Sequence, residues 1–337
     1  MGKFIPLSIP NFEGNEEKYV VDAIASTYVS TVGGYVSRLE KDLAVFLRVD
    51  NVAVCQSGTS ALHLSMIEAG VKPGDVVLVP PLTFIAAVNP VKYQFATPVF
   101  IDCDDSFCMD PVKLRKFCED CEWDGEVLRY KGAAVKAIVV VHVFGNMADM
   151  ESIVDTAEKY NLKVIEDATE ALGTKYTEGR FVGKYAGTIG DFGTFSFNGN
   201  KIITTGGGGA ITANNSETVD HLRYLSTQAK NDPQYYIHDE VGYNYRMTNL
   251  QAALGVAQME ELEEFIGRKQ RNYELYKREF DGFGLVELMP FRVGTSSNKW
   301  FYSLKIDRTR ITTTMREIII ALEKEGIQTR AIWGLIN

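Results

Sequence analysis

Runs of consecutive apolar, β-branched residues alternate with helical patterns along the first two thirds of the chain. The clearest runs are "NVAVCQ" at 51–56, "VVLVPP" at 76–81 and "AIVVVHVFG" at 137–145. Because these runs are continuous rather than alternating, they predict strands that are buried on both faces. Strands separated by helices pair in parallel, so the sequence predicts an α/β fold with a mostly parallel sheet flanked by helices.

The last third of the chain has a different pattern. Apolar residues three and four positions apart predict one long helix over 249–282. A strand-like run, an amphipathic helix and a second strand-like run follow at 300–307, 312–326 and 327–333. We therefore expect a large domain at 1–248, with an N-terminal arm, and a linker helix with a small α+β domain at 249–337. Because the chain stops soon after a strand-like run, we expect the small domain to be truncated.

The charge and cysteine content restrict the partners and the compartment. The net charge of −9 argues against a broad nucleic-acid surface, which needs a basic face. The sequence has no apolar run long enough for a membrane span and no signal-peptide pattern, so we expect neither nucleic acid nor membrane as a partner. Five irregularly spaced cysteines are typical of a reducing compartment, which predicts a cytoplasmic location.

One Cys-x-x-Cys pair raises the alternative of a metal site. Cys118 and Cys121 form the pair, with Cys103 and Cys108 upstream. A zinc site of this kind needs a second close pair or two nearby histidines, and the sequence offers neither here. We interpret the thiols as residues of a helix face and expect no metal.

The segment "CQSGTSALHLSMIEAG" has the features of a phosphate-binding turn. It follows a predicted strand, Ser57 is a favourable N-cap, and Gly58 and Thr59 begin a helix. Backbone N–H groups at a helix N-terminus attract an anion, and the hydroxyls of Ser57 and Thr59 add hydrogen-bonding groups. An ordinary capped helix after a strand explains the same segment.

Acidic residues end another predicted strand, in "KVIEDATEALG" at 163–173. Asp167 falls at the carboxyl edge of this strand, where a buried carboxylate stays charged only beside a cation such as a metal ion or a protonated ring nitrogen. Glu170 lies one turn further and is expected to point the same way. We interpret Glu166 as a solvated or N-capping acid, and a helix N-cap is also the alternative for Asp167.

A single lysine precedes four consecutive glycines in "SFNGNKIITTGGGGAI", residues 196–211. Apolar and small residues surround Lys201, so its amine is a candidate for Schiff-base formation with an aldehyde. Ser196 ends the preceding predicted strand, where its hydroxyl would face the same ligand. The glycines at 206–209 would let the returning backbone pass close to a bound group. A surface hairpin with a solvated lysine is the alternative.

A phosphate-binding turn, a buried acid and a lysine suited to imine chemistry together match the requirements of pyridoxal phosphate. The turn would anchor the phosphate, Asp167 would keep the ring nitrogen protonated, and Lys201 would hold the aldehyde. A nucleotide-binding oxidoreductase on a related sheet is a weaker interpretation, because no G-x-G-x-x-G motif follows the first strand.

Several motifs resemble, in matching order, those of the DegT/DnrJ/EryC1/StrS family of pyridoxal phosphate-dependent sugar aminotransferases. They are "CQSGTSALHLSM", "VHVFGNMADM", "VIEDATEALGT", "SFNGNK" with "TTGGGG", and "GYNYRMTNLQAALG". The resemblance implies an aspartate-aminotransferase-like fold, which is fold type I of the pyridoxal phosphate transferases, and a homodimer with shared active sites. Within the family, "PLSIPNFEGNE", "YVSTVG" and "TRAIWGLI" most resemble segments of enzymes that aminate UDP-linked 4-keto-6-deoxy sugars for bacterial surface sugars such as bacillosamine or legionaminic acid.

The resemblance also implies roles for residues around the cofactor ring. Lys201 would hold the cofactor covalently, Asp167 would pair with the ring nitrogen, and Phe84 would stack on the ring. Glu170 would lie near the ring oxygen, where many members of the family have glutamine.

The residues that the resemblance assigns to the phosphate come from two subunits. Gly58, Thr59 and Ser196 would hold the phosphate within one chain, and the capping residue Ser57 of the same turn is a further candidate. Asn244 would reach the phosphate of the other subunit's cofactor, so that a complete site would need the dimer.

Five residues are candidates for contacts with the substrate. Tyr28, Ser30 and Thr31 would touch the sugar nucleotide, although a plain loop explains the same segment. His142 would line the cofactor pocket or be a core histidine. Arg246 would meet a diphosphate or a donor carboxylate, or pair at the dimer face.

The predicted reaction is a two-stage transamination. Glutamate is expected to give its amino group to the cofactor, which passes it to a nucleotide-linked keto sugar, while Lys201 moves the proton as general base and acid. Two alternatives are a 3-keto sugar as the acceptor and a regulatory protein of the same fold that binds the cofactor without turnover.

Overall fold

The computed structural model describes residues 4–232 and 234–336. Its helices are α1 Glu16–Ala25, α2 Gly34–Leu47, α3 Gly58–Glu68, α4 Asn89–Tyr93, α5 Pro111–Glu119, α6 Met150–Lys159, α7 Ser216–Ser226, α8 Asn249–Phe280 and α9 Met315–Lys324. Its strands are β1 Ala53–Cys55, β2 Val76–Val79, β3 Thr97–Phe100, β4 Glu122–Trp123, β5 Leu128–Tyr130, β6 Ala133–Val141, β7 Lys163–Asp167, β8 Lys175–Tyr176, β9 Phe192–Ser196, β10 Gly209–Ala213, β11 Val286–Leu288, β12 Thr295–Ser296 and β13 Leu304–Ile306.

One large sheet forms the centre of the described structure. Its strands follow the order β1-β10-β9-β7-β6-β2-β3, and β5 pairs with β6 and with β4 beside this path. The pairs β9–β7, β7–β6, β6–β2 and β2–β3 are parallel, whereas β10 runs antiparallel to both of its neighbours. The prediction of a mostly parallel sheet is therefore confirmed, and the reversed β10 is an addition that the sequence pattern did not indicate.

The central strands are buried because their apolar runs face helices on both sides of the sheet. All four residues of β2 and the last five residues of β6 are at most 3% exposed. Fully burying one valine side chain contributes about 1.5–3 kcal/mol, so these continuous runs favour the interior strongly. The same arrangement brings the carboxyl ends of β6 and β7 together, with Val141 opposite Asp167.

The long predicted helix is present as α8 and ends two residues earlier than expected. Thr248 caps it, and Thr248 and Gln251 form a reciprocal capping box. Its N-terminal half packs against the two helices at the start of the chain, since Tyr19 of α1 and Arg38 of α2 donate hydrogen bonds to Glu260 of α8 at 2.8 and 2.7 Å. The division of the chain into domains at 248/249 stays a prediction.

The C-terminal region differs in part from the sequence pattern. Helix α9 is present, and the strand expected over 300–307 is reduced to β13, which pairs with β11. The second strand-like run, 327–333, forms no strand: Ile327 makes an isolated bridge to Ile5, and the rest is irregular. An alternation of apolar residues does not make a strand where no neighbouring strand completes its hydrogen bonds.

No helix in the described part of the chain is both long and apolar enough to cross a lipid bilayer. The five cysteines are free thiols, and Cys118, Cys108 and Cys55 are buried. Within residues 4–232 and 234–336, no three His, Cys, Asp or Glu side chains are grouped in a way that would hold a metal ion.

Candidate functional site

A cavity of about 350 Å³ opens at the carboxyl edge of the parallel strands. Eight of the residues singled out in the sequence line it together, namely Ser57, Gly58, Thr59, Phe84, Asp167, Glu170, Ser196 and Lys201. They come from segments up to 144 positions apart, and α/β proteins commonly bind ligands at this edge of the sheet. The cavity is therefore the candidate active site.

The turn between β1 and α3 forms one end of the cavity. Ser57 is extended and caps α3, because its Oγ accepts a hydrogen bond from the Ser60 backbone N–H at 3.0 Å. The Ser57 and Ser60 hydroxyls also lie 2.8 Å apart. The N–H groups of Gly58 and Thr59, at the first helical positions, have no acceptor within the helix. This end of the cavity therefore offers N–H and O–H donors to an anion.

Two glycines allow the backbone at this turn to pack closely. A Cβ on Gly58 would lie 2.9 Å from Ser196 Cβ and 3.0 Å from Thr169 Cγ2. A Cβ on Gly209 would lie 2.6 Å from the carbonyl carbon of Ser57 and 2.8 Å from the Gly58 nitrogen. Contacts below 3.0 Å require atoms to shift, and backbone atoms shift least. In this structure, the glycines bring β9 and β10 against the turn itself.

Asp167, the last residue of β7, is the buried carboxylate of the cavity. It is 4% exposed, and its Oδ1 accepts the Thr169 backbone N–H at 3.1 Å. Burial raises the pKa of Asp167, and the hydrogen bonds from Thr169 and the charge of Lys201 oppose this only in part. A buried carboxylate of this kind is completed by a cationic donor, and a protonated ring nitrogen fits that requirement.

Lys201 and Glu170 lie side by side in the cavity. Lys201 Nζ is 3.6 Å from Glu170 Oε1, and it lies 4.3 Å from the centre of the Trp300 ring. Glu170 Oε2 accepts the backbone N–H of Phe144 at 2.8 Å. Burial raises the pKa of Glu170, while the charge of Lys201 acts in the opposite direction. The amine is therefore held between an acid and an aromatic face inside the pocket, rather than in bulk solvent.

A second and larger cavity, of about 550 Å³, shares Lys201 and Trp300 with the first. Its walls include the N-terminal residues 5–11, the α8 residue Lys269 and Trp300. It contains neither Asp167 nor the β1–α3 turn. We therefore place the chemistry in the smaller cavity, where the acid, the amine and the anion-binding turn occur together.

The structure adds three residues from the C-terminal region that the sequence analysis did not predict as site residues. Trp300, Arg330 and Trp333 line the cavity with Lys201. Trp300 is 2% exposed, and its Nε1 donates a hydrogen bond to the Asn200 carbonyl at 2.7 Å. The aromatic content of "NKWFYS" was the available signal, but nothing local in that segment indicates contact with a lysine 99 positions earlier.

The residues expected to touch the sugar nucleotide do not line the cavity of their own chain. Tyr28 and Ser30 are exposed, Thr31 is half-buried, and all three lie between α1 and α2. Asn249 fixes this segment at the start of α8: its side chain donates to the Tyr28 carbonyl at 2.7 Å and its backbone N–H to the Ser30 carbonyl at 2.5 Å. Their predicted contact with the sugar nucleotide would therefore have to form outside the cavity of their own chain.

Arg246 and Asn244 also lie away from the cavity. Arg246 Nη1 donates to Glu40 Oε1 at 2.6 Å and to the Val54 carbonyl at 3.1 Å, and its side chain is only 10% exposed. This arginine is thus occupied inside the chain and does not present its charge to a substrate in this structure. Asn244 is exposed, bridges to Thr227 and does not reach the cavity of its own chain.

Glu166 occupies a place that the sequence pattern did not indicate, whereas His142 takes the core position that was one of its two predicted places. His142 is fully buried in the core, and its Nε2 lies 2.9 Å from Glu166 Oε2. The structure therefore places His142 behind the cavity rather than in its wall. The interpretation of Glu166 as a solvated acid is wrong, because its carboxylate is completely buried.

The profile of the DegT/DnrJ/EryC1/StrS aminotransferase family matches residues 10–336. The chain is 37% identical to EpsN of Bacillus subtilis over 334 residues, which cover 99% of this chain and 82% of EpsN. It is also 37% identical to the GDP-perosamine synthase of Caulobacter vibrioides, over 98% of this chain and 84% of that protein. Helicobacter pylori PseC, an aminotransferase involved in pseudoaminic acid biosynthesis, superposes with a TM-score of 0.88 at 24% identity, covering 99% of this chain and 86% of PseC.

The chain belongs to the DegT/DnrJ/EryC1/StrS aminotransferase family. It is accordingly an aminotransferase that depends on pyridoxal phosphate, and its sheet and flanking helices form the type I fold. The predictions of family, fold, enzyme class and cofactor are confirmed. The interpretation as a nucleotide-binding oxidoreductase is excluded by this membership.

Proposed function

We propose that this aminotransferase moves an amino group from glutamate to a nucleotide-linked 4-keto-6-deoxy sugar, with Lys201 and Asp167 as its catalytic residues. The observation that carries the proposal is the convergence of an amine, a buried acid and an anion-binding turn in one cavity of about 350 Å³. These are the three groups that pyridoxal phosphate requires of a protein.

The residues that line the cavity match the chemical groups of the cofactor. The Ser57–Thr59 turn and the Ser196 hydroxyl would hold the phosphate, and the exposed face of Phe84 would cover the ring. Asp167 would remain an anion beside the ring nitrogen, because a cationic partner offsets the burial that raises its pKa. When bound, pyridoxal phosphate supplies an aldehyde for the lysine and a ring that withdraws electrons from the substrate.

Lys201 is placed to move protons as well as to hold the cofactor. Transfer of an amino group requires a proton to be moved from one carbon to another, and a base inside the cavity would move it. Lys201 Nζ is the basic group that lies in the cavity between Glu170 and Trp300, and general base catalysis by such a group typically contributes about 10²–10⁴-fold. Glu170 would keep the amine oriented toward the cavity.

A second copy of the chain would complete the site. Asn244, Tyr28 and Ser30 are exposed and do not reach the cavity of their own chain. We propose a homodimer in which these residues approach the partner's cavity. Mixed dimers test this proposal: Lys201→Ala and Asn244→Ala chains, each inactive alone, should recover activity when mixed, because one of the two sites would then carry both native residues.

Two observations bear on the nucleotide. The sequence motifs most resemble enzymes that use UDP-linked sugars, whereas a relative at 37% identity is a GDP-perosamine synthase. The test is a panel of UDP-, GDP- and dTDP-linked 4-keto-6-deoxy sugars with glutamate, followed by product analysis. We expect amination with one nucleotide class. Failure to aminate any of them, with a 3-keto sugar accepted instead, would contradict the 4-keto assignment. A cytoplasmic location stays a prediction.

A further inference from the structure

A buried carboxylate and a buried imidazole lie directly behind Asp167. Glu166 and His142 are both 0% exposed, and His142 Nε2 is 2.9 Å from Glu166 Oε2. Neither side chain lines the cavity. A carboxylate buried away from water costs several kcal/mol unless hydrogen bonds replace its hydration. The burial of this pair at the end of a strand therefore needs a physical explanation.

The Glu166 carboxylate is fully provided with hydrogen bonds from the loop that leads into β9. Its Oε1 accepts the backbone N–H groups of Ile189 and Gly190, both at 2.6 Å, and its Oε2 accepts the Gly187 N–H at 3.0 Å. With His142, four donors converge on one carboxylate. Hydrogen bonds to a charged acceptor are roughly twice as strong as neutral ones, so this acid fixes the 187–190 loop to the end of β7.

The hydrogen bonds of His142 determine which ring nitrogen carries the proton. Nδ1 accepts the backbone N–H of Ala148 at 3.2 Å, so the proton of the ring lies on Nε2 and is donated to Glu166. The Glu166 carboxylate is thus held by three backbone N–H groups and by the imidazole of His142.

The pair is coupled to Asp167 through the backbone. Successive side chains of a strand point to opposite faces, so Glu166 enters the loop behind the sheet while Asp167 enters the cavity. The backbone N–H of His142 donates to the Asp167 carbonyl at 3.1 Å, and the Ala168 N–H donates to the Thr194 carbonyl at 2.9 Å. Asp167 is thus held between two neighbours of its strand.

We propose that Glu166 and His142 are positioning residues for Asp167: they fix the end of β7 so that the Asp167 carboxylate meets the ring nitrogen of the cofactor. This inference rests on the proposed role of Asp167. Without the Glu166 anchor, the 187–190 loop and the last residues of β7 lose their common attachment, and the Asp167 carboxylate samples other directions.

The test is the affinity of the cofactor-free enzyme for pyridoxamine phosphate, which lacks the aldehyde and so does not bond to Lys201. Titration calorimetry gives its Kd for the wild type, Asp167→Asn, Glu166→Gln and the double variant. We expect Glu166→Gln to weaken binding about tenfold, and to have less than a twofold effect when Asp167 is already asparagine, because the two residues act through one contact.

Glu40→Gln is the matched control. Glu40 is also a mostly buried carboxylate that accepts a backbone N–H, from Val54 at 3.0 Å, but it lies outside the cavity. We expect Glu40→Gln to lower the melting temperature and leave the Kd unchanged. His142→Phe removes the N–H donor and keeps a ring. Combined with Asp167→Asn, it gives a second cycle that does not depend on whether Glu166→Gln folds.

Two results would overturn the proposal. One is an unchanged Kd in Glu166→Gln and His142→Phe, with only stability lost. The other is a loss of affinity on Glu166→Gln that is equally large whether residue 167 is aspartate or asparagine. Failure of the proposed function is a separate outcome, since Asp167→Asn alone would then leave the affinity for pyridoxamine phosphate unchanged.

Discussion

Gly209 of β10 lies so close to Ser57 that an added Cβ would sit 2.6 Å from the Ser57 carbonyl carbon. The four consecutive glycines therefore contain at least one position that side chains cannot occupy. The strand that returns after Lys201 passes directly behind the turn that offers its N–H groups to an anion. Lys201 and the phosphate-binding turn are linked through this backbone contact.

Gly209→Ala is expected to disturb both stability and cofactor binding. The methyl group would meet backbone atoms of Ser57 and Gly58, which can move only by shifting the turn. Overpacking of this kind typically costs about 1–3 kcal/mol. We expect a lower melting temperature and a weaker affinity for pyridoxal phosphate, measured by thermal unfolding and by titration of the cofactor-free protein.

Gly199→Ala is the control for this prediction. A Cβ at position 199 would meet no atom within 4 Å, and this glycine is not among those with a left-handed backbone. The variant should keep both the stability and the affinity of the wild type within error. Equal behaviour of the two alanine variants would contradict the close-approach explanation.

Asp167→Asn should stabilise the cofactor-free protein at neutral pH. Burial raises the pKa of Asp167, so the folded protein binds the proton more tightly than the unfolded chain does. Ionisation of Asp167 therefore lowers the free energy of unfolding. The loss begins as the pH rises past the ordinary pKa of an aspartate, and it is fully present above the raised pKa of the folded protein. The neutral amide avoids it.

The measurement is the melting temperature of both proteins between pH 4 and pH 8, without and with pyridoxal phosphate. We expect the variant to melt about 2 °C higher than the wild type at pH 8, with the difference shrinking toward pH 4. With the cofactor bound the order should reverse, because the wild-type carboxylate gains its cationic partner. A variant less stable than the wild type at every pH without cofactor would oppose this explanation.

Arg246→Met should affect folding rather than substrate recognition. The arginine pairs with Glu40 at 2.6 Å and is mostly buried, so its removal leaves Glu40 with a weaker set of partners. Removing one member of a buried pair costs up to about 3–5 kcal/mol. We expect a fall in melting temperature with KM for glutamate and for the keto sugar unchanged within about twofold.

A tenfold rise in either KM for Arg246→Met, without loss of stability, would contradict this prediction and indicate that Arg246 contacts a substrate. Arg308→Met serves as the comparison, because Arg308 is an exposed arginine of the C-terminal region that donates a hydrogen bond to the nearby Thr313 carbonyl. It should change neither the melting temperature nor the kinetic constants.

The parts of the site that the sequence predicted are those carried by local patterns. Ser57, Asp167 and Lys201 each follow an apolar run, and the carboxyl ends of parallel strands meet at one edge of a sheet. Their convergence followed from the fold class alone. The cap at Ser57 and the long helix α8 were also predictable, because capping residues and helical periodicity are visible within a few neighbouring positions of the sequence.

The remaining features depend on contacts between distant parts of the chain. Glu166 and Asp167 are adjacent acids, and the sequence does not state which of them faces the cavity; the packing of the 187–190 loop decides this. Trp300 reaches Lys201 from a segment 99 positions later, through tertiary packing that no local motif encodes. Similarly, the run at 327–333 has the pattern of a strand but lacks a neighbouring strand to pair with.

The assignment of Lys201 is tested most directly by reducing the cofactor-loaded protein with borohydride and mapping the modified peptide by mass spectrometry. Lys269 is the rival within the chain, since it lines the neighbouring cavity and burial lowers the pKa of its amine. We expect the pyridoxyl group on Lys201, and no stable adduct in Lys201→Ala. A pyridoxyl group on Lys269, with Lys201 unmodified, would contradict the assignment of the catalytic lysine.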